Sequence, residues 1–402
     1  MDFEVIIVGS DINAYYMARN VYEAYNKKAL VIGKTPMNFT SYSNILNIEY
    51  QDNLWDSKVF VDKLLEVKDR FKNKKLLLIG TNDHYVRLIV ENEKVLKKYY
   101  LFNYPKLEII NNLLIKDNFY NKYKDILDMP KTYIYKCNTE FDSKNIKDFM
   151  YPIIIKPGNG VLYYHHPFNN QAKVYKLNNL DEIKETIKVI EESGYDDNLV
   201  IQEFIPGDDT KLYDSIMYVS KDSKVYVQSF AQIGLQEHSS TGVGNLTLLM
   251  NGYSEYKDTI TKKIKDFLED IGYTGIAEFD LKYDTRDNKF KVFEINPRQA
   301  RSSYYLTYLG YNLVKLLVDD LIYDKKYDYK LLTDKVCLSF VPKSVIKKYV
   351  NNEAYKKEVF KLIKEKKFIN PLKCKKDKNI KRRLWLIIRD INYNKKYKRN
   401  EW

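Results

Sequence analysis

The stretch Gly275–Ser303 limits what the chain can fold into more than any other. It reads GIAEFDLKYD, then the polar turn TRDNK, then FKVFEINPRQARSS. Apolar and polar residues alternate on both sides of a turn supplied with Asp and Asn, so the pattern predicts a β-hairpin. Strand side chains alternate between faces. Ile276, Glu278, Asp280 and Lys282 therefore share one face of the first strand. In the second, Val292, Glu294 and Asn296 fall opposite Lys291, Phe293 and Ile295. Asp280 and Glu294 are then expected to meet across the pair, with Asn296 two residues on. Two acids and an amide oxygen on rigid strands make an all-oxygen cation site of the kind that suits Mg²⁺ completed by substrate phosphates. Arg298 and Arg301 follow at once, and guanidinium forks match phosphate geometry. Any one of these acids alone reads more simply as a solvated surface group. The whole string does not, because Pro297 stops the strand right after the last oxygen donor and the residues are poor core material.

The rest of the chain is organised as repeated strand–helix units followed by a basic region. Its 402 residues allow two to three domains. No apolar run approaches the length of a spanning helix, and MDFEVIIVGSD lacks the basic segment and cleavage site of a secretory signal. Three scattered cysteines (Cys137, Cys337, Cys374) fit reduced thiols in a cytoplasm. Four histidines make a zinc site a poor expectation. The formal charge of +13 is concentrated at one end: Val341–Trp402 holds 21 Lys and Arg against 6 Asp and Glu. The body is near neutral.

Short apolar runs at Phe3–Val8, Ala29–Gly33, Lys75–Gly80 and Leu107–Ile110 read as strands. Helical periodicity from Ser10 or Asp11 onward, over Asp56–Phe71 and over Asp83–Lys98, places helices between them. Such alternation predicts an open parallel sheet, with the Gly9-Ser10-Asp11 turn as a ligand edge. Asn111–Leu127 reads as a helix carrying Lys116. YPIIIKPGNG is a strand that delivers Lys156 into a glycine turn, well placed for phosphate oxygens. LVIQEFIPGDD is a strand and turn. Glu255–Ile271 is an amphipathic helix, and YYLTYLGYNLVKLLVDDLIY reads as one long apolar helix behind the hairpin. Arg382–Ile391 reads as a short basic amphipathic helix with Leu384, Trp385, Ile387 and Ile388 on or near one face. It fits a charge-laced helix docked on the body, an anionic membrane surface or, least well, nucleic acid.

FEINPRQARSS resembles the NPR-x-x-RSS form of the metal-binding segment of the ATP-grasp superfamily, as found in carbamoyl-phosphate synthase large chains and related carboxylate–amine ligases. GSDINAYYMARNVYEAY resembles the opening of the D-aspartate ligases and their relatives. Five short motifs occur in the family's order. The resemblance implies an α/β architecture: an N-terminal open parallel domain (1–110), a two-lobed ATP-grasp domain (111–325, smaller lobe about 151–205) and a basic C-terminal extension (326–402). It implies ATP with Mg²⁺, or Mn²⁺, as cofactors. Asp280, Glu294 and Asn296 would be metal ligands, and Arg298 and Arg301 would act on the transferred phosphoryl group. Lys116 and Lys156 would be the two nucleotide lysines. Gln202, Glu203, Phe204 and Ile205 would form the adenine hinge, with Asp209, or Asp208 one residue earlier, on the ribose. The loop after Gly160 departs from the pattern, running VLYYHHPFNN instead of a glycine-richer segment, so His165 and His166 are either contacts or plain surface. His238 is the ionisable group of the loop near the reacting centre. The implied reaction is ADP-forming amide synthesis through an acyl phosphate, best matched by a D-aspartate ligase acting on a peptidoglycan precursor. The alternatives are a ligase making a small metabolite and a non-catalytic nucleotide-binding regulator. The implied partners are an amino acid and an amine acceptor, without nucleic acid. A homodimer and a peripheral contact with the inner membrane face through the basic end remain open, and the expected location is the cytoplasm.

Overall fold

The computed structural model describes residues 2–237, 242–254 and 257–398. Three sheets organise it. The first is parallel, built from β1 (Phe3–Val8), β2 (Ala29–Gly33), β3 (Leu46–Tyr50), β4 (Lys75–Gly80) and β5 (Tyr100–Leu101) in the order β3-β2-β1-β4-β5. Helices α1 (Ile12–Tyr25), α2 (Ser57–Asp69), α3 (Asp83–Glu91) and α4 (Glu93–Leu96) connect them. β1 ends at Gly9, where φ is +126° and the Thr81 side chain leaves no room for a Cβ. Asp11 then caps α1, accepting from the amides of Asn13 and Ala14. The turn thus brings polar groups to the carboxyl edge of the sheet.

Helices α5 (Leu107–Leu114) and α6 (Lys116–Tyr123) lead to a four-stranded antiparallel sheet of β6 (Thr132–Lys136), β7 (Ile153–Pro157), β8 (Tyr175–Leu177) and β9 (Asn198–Glu203), ordered β6-β9-β7-β8. Its connections carry α7 (Gly160–His165) and α8 (Leu180–Glu192). Ile183, Ile187 and Ile190 of α8 recur at helical spacing and pack on Ile153, Ile155, Leu199 and Ile201 to make a separate small core.

The third sheet has nine strands: β10 (Leu212–Val219), β11 (Val225–Ser229), β12 (Ala231–Gln236), β13 (Leu246–Asn251), β14 (Gly275–Asp284), β15 (Lys289–Asn296), β16 (Lys330–Leu332), β17 (Val336–Ser339) and β18 (Phe368–Ile369). Helices α9 (Lys257–Asp270), α10 (Tyr304–Tyr308), α11 (Leu313–Leu321), α12 (Lys343–Tyr349), α13 (Glu353–Lys364) and α14 (Ile380–Lys398) accompany it. The basic region is woven into this sheet. β17 pairs with β13, β16 pairs with β11, and Val345, Ile346, Val359 and Leu362 share a core with Leu235, Leu248 and Met250. No helix among the described residues is long and apolar enough to cross a membrane.

Three expected elements differ. Leu107–Ile110, expected as a strand, is the first turn of α5, and the fifth strand is the short β5 before it. The helix expected over Asn111–Leu127 breaks at Ile115, whose ψ of 111° is extended, so Lys116 opens a new helix. The long helix after Ser303 is two helices. Gly310 at φ +94° ends α10, and Tyr311 N–H returns to the Leu306 carbonyl at 2.8 Å. This pair shares the core behind β10 and β14 with Ile216, Tyr218 and Ile276 and packs on α1 as well: Thr307 and Asn312 both bond Asn20, and Tyr304 bonds Glu23.

Candidate active site

The hairpin of β14 and β15 sets Asp280 directly opposite Glu294 and Glu278 opposite Asn296. One step further the register slips, so that Leu281 faces Val292 and Phe293 is the extra residue of a bulge. This corrects the simple alternation expected from sequence. Val292 packs into the core with Leu281 and Ile295, while Phe293 borders the cavity beside Glu294. A third acid-bearing strand lies alongside: Asp214 of β10 is paired with Asp280 and accepts from Ser302 Oγ at 2.6 Å and the Tyr305 hydroxyl at 3.2 Å.

Four carboxyl groups thus crowd three neighbouring strands, and their environments split them. Burial, reinforced by Glu278, pushes Asp214 up to about 8. Burial and the three nearby acids raise Asp280 far above the usual carboxylate range. Glu278 is also raised, mainly by burial, although Arg298 opposes this. Glu294 goes the other way. Burial alone would raise it, but Lys116, Lys156 and Lys173 together hold it down to about 2.

Those lysines belong to the facing lobe. Together with Asp280 and Glu294 they line a cavity of about 280 Å³ between the four-stranded and nine-stranded sheets. Lys116, at the first position of α6, reaches the Pro157 carbonyl at 3.4 Å. Lys156 of β7 reaches the Tyr120 hydroxyl at 3.4 Å. Lys173 donates to the Val243 carbonyl at 3.0 Å. Burial, then the charge of Lys156, lowers Lys116 to about 7. Burial lowers Lys156 to about 8 against the pull of Glu294.

Gln202, Glu203, Phe204 and Ile205 all border the same cavity. Their side chains are committed elsewhere: Gln202 donates to Thr132 Oγ1 at 2.8 Å, while Glu203 accepts from the Met150 amide at 2.9 Å and pairs with Arg286 at 3.2 Å. Phe204 lies between the ammonium groups of Lys176 and Lys282, 4.4 and 4.9 Å from its ring centroid. Any recognition here falls to the main chain. The Phe204 amide is bonded to the Pro152 carbonyl, and that of Ile205 takes no backbone partner among the described residues. Asp208 caps a short turn by accepting from Thr210, whereas Asp209 accepts from the backbone and side-chain amides of Gln236 at 3.0 and 2.8 Å. Both border a second hollow that shares Phe204, Gln236 and Lys282 with the first.

The two arginines diverge. Arg298 pairs with Asp83 at 2.8 Å and donates to the Asn296 amide oxygen at 3.1 Å, while its guanidinium stands 3.9 Å from Glu278. Despite burial, Asp83 and Glu278 raise it further and keep it charged. Arg301 is set apart against Phe340, 5.3 Å from the ring, with Nη1 buried and without a hydrogen-bond partner among the described residues. Near Arg298, Tyr16, Thr81, Asn13 and Gln299 are also buried, with Asn13 donating to the Thr81 carbonyl and Gln299 to the Gly80 carbonyl, each at 3.0 Å. The Gly9-Ser10-Asp11 edge and the NPRQARSS segment therefore meet over buried polar side chains. His165 is an exposed residue at the end of α7, and His238 lies outside the described residues.

Several participants were not singled out from sequence. Glu278 and Lys282 lie on the same face of β14 as Asp280, so alternation itself carried the signal. Lys282 is buried beside Phe204 and lowered to about 8 by burial. Asp214, Lys173 and Asp83 come from distant segments and left no local signature. Among the described residues, no three His, Cys, Asp or Glu side chains stand together as a complete metal cage. The donors suit a cation that takes two carboxylates and draws its remaining ligands from phosphate and water. Asp280 and Glu294 face the cavity; Asn296, its oxygen shared with Arg298 and its amide given to Glu278 at 2.7 Å, stands one step back.

No protein-family model matches the chain. It is 33% identical over 404 residues to the D-aspartate ligase of Enterococcus faecium (strain Aus0004), covering 98% of this chain and 95% of that protein. Solved structures share the fold at low identity. N5-carboxyaminoimidazole synthetase from Staphylococcus aureus complexed with ADP aligns with a TM-score of 0.60 and 15% identity over 84% of this chain and 82% of that one. The biotin carboxylase domain of Hydrogenobacter thermophilus 2-oxoglutarate carboxylase, in complex with MgADP, aligns at 0.59 and 13% over 82% and 72%. With its parallel N-terminal domain and two-lobed cleft, the chain belongs to the D-aspartate ligase family of ATP-grasp carboxylate–amine ligases.

Proposed function

We propose that this enzyme joins D-aspartate to an amine in an ADP-forming reaction, the acceptor being the lysine side chain of a peptidoglycan precursor. The observation that carries the reading is Asp280 set opposite Glu294 across one strand pair, facing Lys116, Lys156 and Lys173 across the cavity. In the first step a carboxylate oxygen attacks the γ-phosphorus of ATP and ADP departs. In the second the neutral amine nitrogen attacks the acyl carbon, the acyl C–O bond breaks, and inorganic phosphate departs with the proton that the nitrogen gives up, leaving the amide. Asp280 and Glu294, with Asn296 in support, would hold Mg²⁺ or equally Mn²⁺, and the ion would supply charge neutralisation for the phosphate oxygens.

The chain's own groups do the rest by position and charge. Lys116 and Lys156 meet phosphate oxygens. The main chain of Glu203–Ile205 takes the adenine edge, Phe204 packs on the ring, and Asp209 takes the ribose. Arg301, with a buried donor to spare, and Arg298 hold the phosphoryl group and the acyl oxyanion. The identity to a D-aspartate ligase over nearly the whole chain supports the choice of acid. Such an enzyme works in the cytoplasm, where its basic end is free to touch the inner membrane face. The test is ADP release with D- or L-aspartate, each with and without a peptide bearing a free lysine amine. Release that needs both D-aspartate and the amine is expected, and release indifferent to either overturns the reading.

A further inference from the structure

Helix α14 is turned the opposite way from an ordinary surface helix. Its inner face carries Arg382, Arg389, Tyr393 and Tyr397. Arg382 pairs with Asp377 at 3.0 Å and lies 3.6 Å from the Tyr15 ring, and Arg389 donates to the Phe340 carbonyl at 2.8 Å. The outer face is aliphatic. Ile380, Leu384, Ile387, Ile388 and Ile391 follow one another at helical spacing, each between 53% and 73% exposed. They form a stripe roughly 16 Å long. Met37 and Tyr42, both exposed, lie on a neighbouring loop that Arg382 ties to the helix through the Phe39 carbonyl at 2.5 Å, and the Tyr42 ring stands 5.8 Å from the Lys381 ammonium. Lone exposed apolar residues are ordinary, but a continuous stripe marks a contact surface.

The charges around the stripe indicate what covers it. Lys381, Arg383, Lys395 and Lys398 are exposed beside it. The helix's single acid, Asp390, is drawn away to Lys373 at 2.7 Å. Two copies meeting through this face would crowd these cations together with no acid to offset them. An anionic bilayer instead offers acyl chains to the aliphatic stripe and phosphates to its basic rim, with Tyr42 at headgroup depth.

We propose that the outer face of α14, with Met37 and Tyr42, seats this protein peripherally on an anionic membrane surface. The surface lies apart from the catalytic cavity, so it stands or falls independently of the ligase reading. The test is sedimentation of the full chain with phosphatidylcholine vesicles, with and without about one-third phosphatidylglycerol. Binding to the anionic vesicles alone is expected, weakening as salt is raised. The exposed pair L384Q/I387Q should weaken it by about tenfold or more, and K381A/K395A by about fivefold or more. Both variants should keep the parent's melting temperature and its ADP release with soluble substrates. Equal binding to neutral vesicles, no binding, or full binding by L384Q/I387Q overturns the proposal. A concentration-dependent dimer that L384Q/I387Q abolishes reassigns the face to self-association and equally overturns it.

Discussion

On one wall of the cavity stand Asp280 and Glu294, backed by Asp214 and Glu278, all four from three adjacent strands of a single sheet. On the other, Lys116, Lys156 and Lys173 come from three separate pieces of chain gathered by the smaller lobe. Each wall repels itself, and the difference lies in how that repulsion is relieved. The acids are pushed toward the protonated form: burial and mutual charge raise Asp214, Glu278 and Asp280. Burial pulls two of the lysines the other way, to about 7 at Lys116 and about 8 at Lys156. Glu294 faces across, and the lysines keep it ionised. Two acids on one strand pair, opposite one another, thus shift in opposite directions because their neighbours differ. The cavity is built for a polyanion accompanied by a cation, which would satisfy both walls at once.

Glu294 is where this contrast is easiest to break. Glu294→Ala removes the carboxylate that faces all three lysines and half of the acid pair, and turnover should fall by about 10²–10³-fold or more. Substrate-dependent ADP release measures it, and wild-type turnover in the variant would remove the pair from the chemistry. Lys156→Met touches the other wall. Losing one charge-assisted hydrogen bond to phosphate should raise the KM for ATP by about 10–100-fold, and an unchanged KM would deny the lysine that role.

What the sequence disclosed follows the same division. The hairpin, the Asp280–Glu294 pairing and two of the four small-lobe strands, β7 and β9, were legible because strand patterns and turn residues are local. The bulge at Phe293 was not, since one extra residue leaves the composition of the strand unchanged. The break at Gly310 was masked by apolar residues on both sides. The basic end was legible in part: a helix docked on the body was among its readings, but nothing in the charge pattern marked Val336–Ser339 as a buried strand of the main sheet or Arg382 and Arg389 as pointing inward. Lys173 and Asp214 reach the cavity only through the tertiary fold, so no spacing in the sequence could indicate them.

A smaller effect sharpens the contrast through pH. Lys116 and Lys156 shed their protons near 7 and 8 in the free protein, so phosphate binding above that range requires proton uptake. Affinity for ADP should fall as pH rises from about 7 to 9, by up to about tenfold per unit for each lysine that has become neutral. Calorimetry in buffers of different ionisation enthalpy would register the uptake. Stability moves the other way for these groups. Between the folded values and the ordinary lysine value the unfolded chain binds more protons, so the lysines' contribution rises with pH. Nucleotide affinity that is flat over this interval would place the lysines away from the phosphates.

The smallest expected effect is at Glu278, which touches the acid wall without facing the cavity. Its carboxylate helps to raise Asp214 and Asp280, accepts from Asn296 and lies near Arg298. Asp214 titrates near 8 when folded against about 4 unfolded, so between those values the folded state binds the extra proton. Its stabilising contribution is complete below about 4 and lost as pH climbs through 8. Glu278→Gln keeps the shape and an acceptor for Asn296 while deleting the charge, and Arg298 retains Asp83. Without that repulsion Asp214 should ionise at lower pH. The fall in melting temperature between pH 5 and 8, measured with a chelator present, should become shallower, and the variant should gain about 1 kcal/mol at pH 8. Unchanged pH dependence would mean that burial alone, and not the neighbouring acid, keeps the wall protonated, leaving Glu278 as a hydrogen-bond partner of Asn296 and nothing more.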